Sequence, residues 1–259
     1  MQWALDMALV ETIMLASVRL VAFLVVAPPF HVEAFPSSVK VAIALGMALA
    51  IAPRVQASAT VPPGALLTGP TAGIIGALVV QAVLGLALGF AVRMVFAAVQ
   101  SAGALIDVFG GFELAQAFDP VTGSQGAVFS RFYYMAALAL MFATDAYQVV
   151  LLGMVRSFDA VPVGSGMSLD GLGSLMSGGL SQLMVAALQI AGPLLVVLFL
   201  ADVGLGLLTR VAPALNAFAL GFPLKILITL SLGSVAFLAL PQVVSALADS
   251  AFALMAGGA

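Results

Sequence analysis

Apolar residues run through the chain in about six long stretches, which short polar segments separate. The stretches lie near residues 8–30, 39–53, 72–98, 127–155, 179–208 and 214–248. Each approaches the roughly 20 residues that an α-helix needs to cross the hydrocarbon core of a bilayer. Prolines stand at most of the boundaries, where helices tend to end: Pro28-Pro29, Pro53, Pro62-Pro63, Pro70, Pro120 and Pro162. The pattern predicts an all-α polytopic membrane protein of about six apolar helical segments.

Composition strengthens this prediction. Hydrophobic residues make up 63% of the 259 residues, charged residues 7%, and the mean hydropathy is +1.24. A soluble domain carries about 25% charged residues, so this chain could not cover a surface that faces water. Because no long polar block interrupts it, we expect a single membrane domain over residues 1–259. The N-terminus has Asp6 and Glu11 where a signal peptide would be basic, and we expect the first segment to be retained.

Several charges lie inside the apolar segments, where a central Asp, Arg or Lys costs about 2.5–3.5 kcal/mol. They are Arg19, Asp145, Asp202 and Lys225. Glu11 precedes Arg19 by eight residues, and Asp202 precedes Arg210 by eight. Two helical turns, about 12 Å, separate such residues, which is too far for a direct ion pair. The charges therefore either reach the membrane surface along the helix or face partner proteins, and the sequence leaves both interpretations open.

Helix lengths are unequal. No proline interrupts the chain from Pro70 to Phe109, so one helix could extend about 60 Å, twice the roughly 30 Å of the hydrocarbon core. Val39 to Ala52, by contrast, is short for a span. Gly85 and Gly89 form a GxxxG pair, which either lets two helices approach closely or only makes one helix flexible. Helices of such unequal length are more typical of hairpins that pack against other protein chains than of a regular helix bundle.

Enzymatic chemistry has little support. The single histidine, His31, has no cysteine or second histidine with which to form a metal site. Neither a G-x-S-x-G nor a Walker-type glycine loop occurs. We therefore expect no catalytic residues, metal or cofactor. With a net charge of −3 and no basic cluster, we also expect no nucleic-acid partner.

A transporter and a subunit of an assembly are left as the main function classes. Arg19, Asp145, Asp202 and Lys225 could line an ion path, yet no paired halves indicate an inverted-repeat transporter. The polar segment "AFDPVTGSQG", residues 117–126, is either an ordinary turn or the part of the molecule that acts. The residues considered so far do not decide between these alternatives.

Motifs over nearly the whole chain resemble the FliR family, membrane subunits of the flagellar type III export gate related to the SctT subunits of injectisomes. They lie in "RLVAFLVVAPPF" (Arg19–Phe30), in Phe118–Gly164 and in Pro193–Leu230. The most specific are Asp119-Pro120 with Gly123, the stretch from Ser157-Phe158 to Pro162, Arg210-x-x-Pro213-x-x-Asn216-x-Phe218, and Gly221-Phe222-Pro223. "GFPLKI" and "SFDAVPVG" favour the flagellar branch over the injectisome branch.

The resemblance implies a fold, partners and a location. FliR-like subunits are built into a helical hetero-oligomeric gate with FliP-like and FliQ-like subunits and an FlhB-like switch subunit. This gate passes unfolded flagellar proteins across the bacterial inner membrane at the flagellar basal body. Membrane lipid is then a further contact. Partner proteins would explain the charges and mismatched lengths of the apolar segments.

The resemblance also implies a role for residues 110–126, the stretch that plugs the pore at rest in the family. Gly110 and Gly111 can break the preceding helix. Phe112, Leu114 and Phe118 offer bulky apolar groups that could close a pore by excluding water, and Asp119-Pro120 would fix the returning turn. The remaining candidates for partner packing or intramembrane charge are Arg19, Asp145, Asp202, Arg210, Asn216 and Lys225.

Overall fold

A computed structural model describes residues 7–31, 35–60, 62, 64–112, 128–165, 169–212 and 220–233. These ranges contain eight helices and no strand. The helices are α1 (Met7–Val26), α2 (Ser37–Ser58), α3 (Ala65–Thr68), α4 (Thr71–Gly110), α5 (Val128–Ala143), α6 (Ala146–Ala160), α7 (Leu169–Val211) and α8 (Leu220–Gly233). The prediction of an all-α polytopic membrane protein is confirmed.

Among the described residues, four helices are long and apolar enough to cross a membrane: α1, α2, α4 and the Ser177–Val211 part of α7. The pair α5 and α6 adds a fifth if it is counted as one broken span. The expected sixth segment, 214–248, is represented among the described residues by the shorter apolar helix α8. The long third segment is confirmed, because α4 runs unbroken for 40 residues, Thr71–Gly110.

Two expectations about the apolar segments are wrong, one about a helix end and one about continuity. Pro53 lies inside α2, which continues to Ser58 and reaches 22 residues, a length that can span a membrane. A proline removes one backbone hydrogen bond and crowds the preceding turn. Packing of α2 against α1 stabilises the helix on both sides of Pro53, where Ala52 and Val55 are buried. The fourth segment is not continuous, since α5 ends at Ala143 and α6 begins at Ala146. Asp145 between them has φ 57, a left-handed conformation that Asp tolerates better than most residues.

The chain divides into two compact units. The first comprises Met1–Met94, Asp145–Gly179 and Ala248–Ala259. In its core, α1 packs against α2, whose buried residues recur every four positions, from Ala44 through Ala48 to Ala52. This spacing places three small side chains on one face of α2, so that the larger residues of α1 fit against it. The α1 residues in this core are Leu15, Ala16, Leu20, Phe23 and Leu24.

The second unit comprises Val95–Thr144 and Leu180–Leu247. Its core takes residues from the last turns of α4, from α5 and from α7. The buried members include Ala98, Val99, Ala102, Ile106, Tyr133, Ala137, Met141, Leu194 and Leu198. In α4 and α5 they recur three or four residues apart, which is the period of a helix face turned toward other protein groups.

Candidate functional site

Arg19 is a fully buried charge in the first unit, held by several hydrogen bonds. Its Nε donates to Oε1 of Gln81 across 2.6 Å. One terminal nitrogen donates to the backbone oxygen of Ser157 at 3.0 Å and the other to that of Val161 at 2.8 Å. The guanidinium carbon also lies 4.1 Å from the centroid of the Phe158 ring. With 0% of the residue exposed, Arg19 ties α1 to α4 and to the end of α6 through neutral groups of this chain.

The GxxxG pair of α4 packs against the same part of α1. A Cβ atom added to Gly85 would meet the backbone oxygen of Arg19, and one added to Gly89 would lie 2.8 Å from that of Phe23. Two helix backbones therefore approach closely at these glycines, as small-residue spacing allows. Of the two interpretations of the motif, the helix interface is confirmed. The contact is formed within this chain.

Glu11 occupies a different environment from Arg19. Its Oε2 accepts hydrogen bonds from the backbone nitrogens of Leu66 and Leu67, both at 3.0 Å. The carboxylate thus satisfies two amides in the first turn of α3, where negative charge is favourable. Glu11 and Arg19 each have their own partners, as their eight-residue separation predicted.

In the second unit, the end of α4 carries the first of the candidate plug residues. The helix ends at Gly110, and Gly111 follows with φ +82, so the predicted break at these glycines is confirmed. A Cβ added to Gly111 would lie 3.0 Å from the Phe222 ring of α8. Phe112 packs edge-on against Phe129 of α5, with ring centroids 5.0 Å apart. The chain therefore leaves α4 through a tight, glycine-dependent turn.

Asp107, one turn before that end, holds the beginning of α5. Its Oδ1 accepts from the backbone nitrogen of Phe129 at 3.0 Å and its Oδ2 from that of Ser130 at 2.8 Å. The residue is 0% exposed. The carboxylate acts as a helix cap supplied from a neighbouring helix rather than from the residue before α5.

Asp202 and Lys225 are brought together by α7 and α8, with 2.7 Å between Oδ1 and Nζ. The eight-residue spacing of Asp202 and Arg210 predicted no direct ion pair between them, and the ion pair that Asp202 forms is with Lys225. Arg210 lies exposed in the last turn of α7, where a cation is favoured by the helix dipole. Asp145 is exposed at the break between α5 and α6.

The remaining candidates lie outside the described residues. These are Leu114, Phe118, Asp119, Pro120 and Asn216. The proposed plug, residues 110–126, is therefore described only at Gly110, Gly111 and Phe112.

Sequence reasoning missed three of the groups that organise these sites. Gln81 and Asp107 are two of the few polar residues in the largely apolar α4, and a polar residue in such a helix is the signal that could have marked them. Ser157 carries no such signal, since most of its contribution to Arg19 is a backbone oxygen. Within the described ranges, no group of His, Asp and Glu side chains could hold a metal ion.

His31 lies between α1 and α2, outside the candidate spans. Partial burial lowers the pKa of its imidazole, and the positive charges of Arg93 and Lys40 lower that pKa further. All three effects disfavour the imidazolium. The imidazole of His31 therefore resists protonation.

The amino-acid sequence of this polytopic helical protein matches known bacterial export proteins. The family model "Bacterial export proteins, family 1" matches residues 10–251, and the chain belongs to that family. It is 31% identical to the flagellar biosynthetic protein FliR of Escherichia coli K12 over 215 residues, which cover 83% of this chain and 79% of that protein.

Two further relatives match over shorter regions. The FliR protein of Bacillus subtilis is 35% identical over 152 residues, 58% of this chain and 59% of that protein. The Yop proteins translocation protein T of Yersinia pestis is 31% identical over 147 residues, 56% of each chain. The chain is thus similar to flagellar biosynthetic proteins and to a Yop translocation protein.

Proposed function

We propose that this protein is a non-enzymatic subunit of the flagellar type III protein export gate at the bacterial inner membrane. It assembles with FliP-like and FliQ-like subunits, and with an FlhB-like switch subunit, into a gated pore of the flagellar basal body. Unfolded flagellar proteins pass through that pore. The observation that carries the proposal is the family match over residues 10–251.

The extent of similarity favours the flagellar branch. The match to the E. coli FliR protein covers 83% of this chain, whereas the match to the Yersinia translocation protein covers 56%. Identity is 31% in both, and the wider coverage supports the flagellar branch as the first candidate. An injectisome export gate is the second candidate, since that similarity spans more than half of the chain.

The length of α7 supports assembly with other proteins. Large apolar side chains are exposed along it from Leu180 to Val211, a rise of about 46 Å. A bilayer core of roughly 30 Å cannot cover that length without steep tilt. Apolar surface beyond the lipid needs another cover, and partner subunits in the gate supply it.

The plug proposal for residues 110–126 rests on fewer observations. It is supported by the end of α4 at Gly110, by the left-handed turn at Gly111, and by the aromatic side chain of Phe112 directly after it. Phe112, Leu114 and Phe118 would provide the apolar seal, and Asp119-Pro120 the returning turn.

The test is native mass spectrometry of this chain co-expressed with the FliP-like and FliQ-like proteins of its own organism. We expect a large hetero-oligomer that retains this chain through purification. A stable monomer or homodimer that ignores those partners would contradict the proposal and would favour a small secondary transporter. A second experiment distinguishes the flagellar from the injectisome export system. Deletion of the gene should abolish secretion of flagellar subunits and leave injectisome secretion intact.

A further inference from the structure

The first turn of α5 poses a physical problem. The first backbone N–H groups of any helix have no acceptor within the helix, and in an apolar setting an unpaired amide is costly. The residue before α5, Ala127, has no side-chain oxygen with which to cap it. The acceptors for Phe129 and Ser130 come instead from Asp107, 22 and 23 residues earlier in the chain.

The geometry uses both oxygens of that carboxylate. Each oxygen accepts one amide, at 3.0 and 2.8 Å, so the second and third residues of α5 are held at once. An ionised acceptor makes hydrogen bonds roughly twice as strong as a neutral one. Two bonds from one rigid group also fix orientation. Asp107 thus determines where α5 begins relative to the end of α4.

Gly103 reinforces the same contact. It lies one turn before Asp107 on the same face of α4, and a Cβ added there would be 2.6 Å from the Phe129 backbone oxygen and 2.7 Å from the Ser130 Cα. Only a residue without a side chain lets the helix backbones approach this closely. The Phe129 ring contacts Phe112 on one side, and a Cβ added to Gly233 of α8 would lie 3.4 Å from it.

We propose that Asp107 is a positioning residue of the gate: with Gly103, it clamps the start of α5 to the end of α4 and so fixes the two ends of the segment between them. The proposal rests on the proposed function, in which that segment seals the pore. The clamp keeps the ends of the segment at one spacing, so that loosening it weakens the seal while the rest of the subunit stays assembled.

Hydrogen–deuterium exchange of the purified hetero-oligomer tests the clamp itself. In Asp107→Ala, the amides of Phe129 and Ser130 should exchange at least about tenfold faster, which corresponds to about 1.4 kcal/mol. Asp107→Asn keeps one acceptor oxygen and turns a donor toward the other amide, so its effect should lie between those of wild type and Asp107→Ala. The matched control is Asp159→Asn, which removes a carboxylate from an exposed ion pair with Arg54 and should leave α5 unchanged. Unchanged exchange in Asp107→Ala would overturn the proposal.

Dye release tests the consequence for the seal. The same complexes are placed in phosphatidylethanolamine–phosphatidylglycerol liposomes filled with self-quenched carboxyfluorescein, beside a variant lacking Gly111–Phe118. We expect Asp107→Ala to release dye about tenfold faster than wild type, again about 1.4 kcal/mol, and Gly103→Ala to do the same with the carboxylate intact.

The outcomes separate the two proposals. If the deletion variant leaks and both point variants retain dye like the wild type, Asp107 is only a local cap and the clamp proposal fails, while the plug proposal stands. If the deletion variant retains dye, the plug proposal fails and the sealing role of Asp107 fails with it. Should Asp107→Ala not assemble, Gly103→Ala is judged by the same two readouts. Loss of assembly in both variants would show a purely structural contact and overturn the clamp.

Discussion

Arg19 of α1 donates a hydrogen bond of 2.6 Å to Gln81 of α4, and the two residues are 0% and 1% exposed. The bond joins two candidate membrane spans. Its strength comes from the charged donor and from the exclusion of competing water. The cation is kept inside the protein by several neutral acceptors acting together, which makes the arrangement sensitive to the shape of the guanidinium.

Arg19→Lys should destabilise the protein although it preserves the charge. An ammonium on a flexible stem cannot reproduce the planar fork that reaches Gln81, Ser157 and Val161, and each hydrogen bond from a charged group contributes about 1.5–3 kcal/mol. We expect a lower melting temperature in detergent and less protein in membranes. Arg54→Lys is the matched control, because Arg54 forms an exposed ion pair with Asp159 of a kind worth about 1 kcal/mol or less. Equal effects at the two positions would contradict the role assigned to Arg19.

Gly85→Ala should separate α4 from α1. The added methyl group meets the Arg19 backbone oxygen and the Ala22 side chain, and overpacking of this kind costs about 1–3 kcal/mol. Gly76→Ala, on the same helix but with nothing within 4 Å of the added atom, is the control and should be neutral or slightly stabilising. Thermal unfolding of both variants provides the comparison. A Gly85→Ala protein as stable as Gly76→Ala would mean that the helices do not approach as described.

Removal of Gly111–Phe118 should leave the hetero-oligomer assembled but permeable to ions and small solutes. The apolar side chains of this stretch are the ones proposed to exclude water from the pore. Native mass spectrometry reports assembly, and conductance in a planar bilayer reports the leak. A variant with the stretch replaced by Gly and Ser residues of equal length separates the loss of apolar groups from the loss of chain length. An assembly defect without conductance would instead assign the stretch a structural role.

Acidification should lower the stability of the folded protein through His31. The pKa of this imidazole in the folded protein lies below its ordinary value of about 6.5. At pH values between the folded and the unfolded pKa, the unfolded chain therefore binds more protons than the folded protein. Stability is therefore fully present above pH 6.5 and falls as the pH drops toward the folded-state pKa. Melting temperatures of the wild type and of His31→Gln, measured at pH 7.5 and pH 5, should show a smaller drop for the variant. An equal drop in both proteins would assign the acid sensitivity to other groups.

Much of the architecture could be read from the sequence, because hydrophobic length and proline placement are local signals. The unbroken α4, its end at Gly110 and Gly111, and the helix-packing alternative for Gly85 and Gly89 all follow from residues close together in the chain. Pro53 was misjudged for the complementary reason. A proline ends a helix only when nothing else holds it, and α2 is held by its packing against α1.

The polar contacts depended on the tertiary structure. Sequence spacing predicted no direct ion pair between Glu11 and Arg19 or between Asp202 and Arg210. It could not show that Arg19 meets Gln81, 62 residues later, or that Asp202 pairs with Lys225. In an apolar interior, a charged or unpaired group takes whichever partner the fold brings within hydrogen-bonding distance, since leaving it unpaired costs several kcal/mol. The sequence therefore determined that the chain is helical and where most of its apolar helices lie, and only the packing of those helices decided where α2 ends and which polar groups meet.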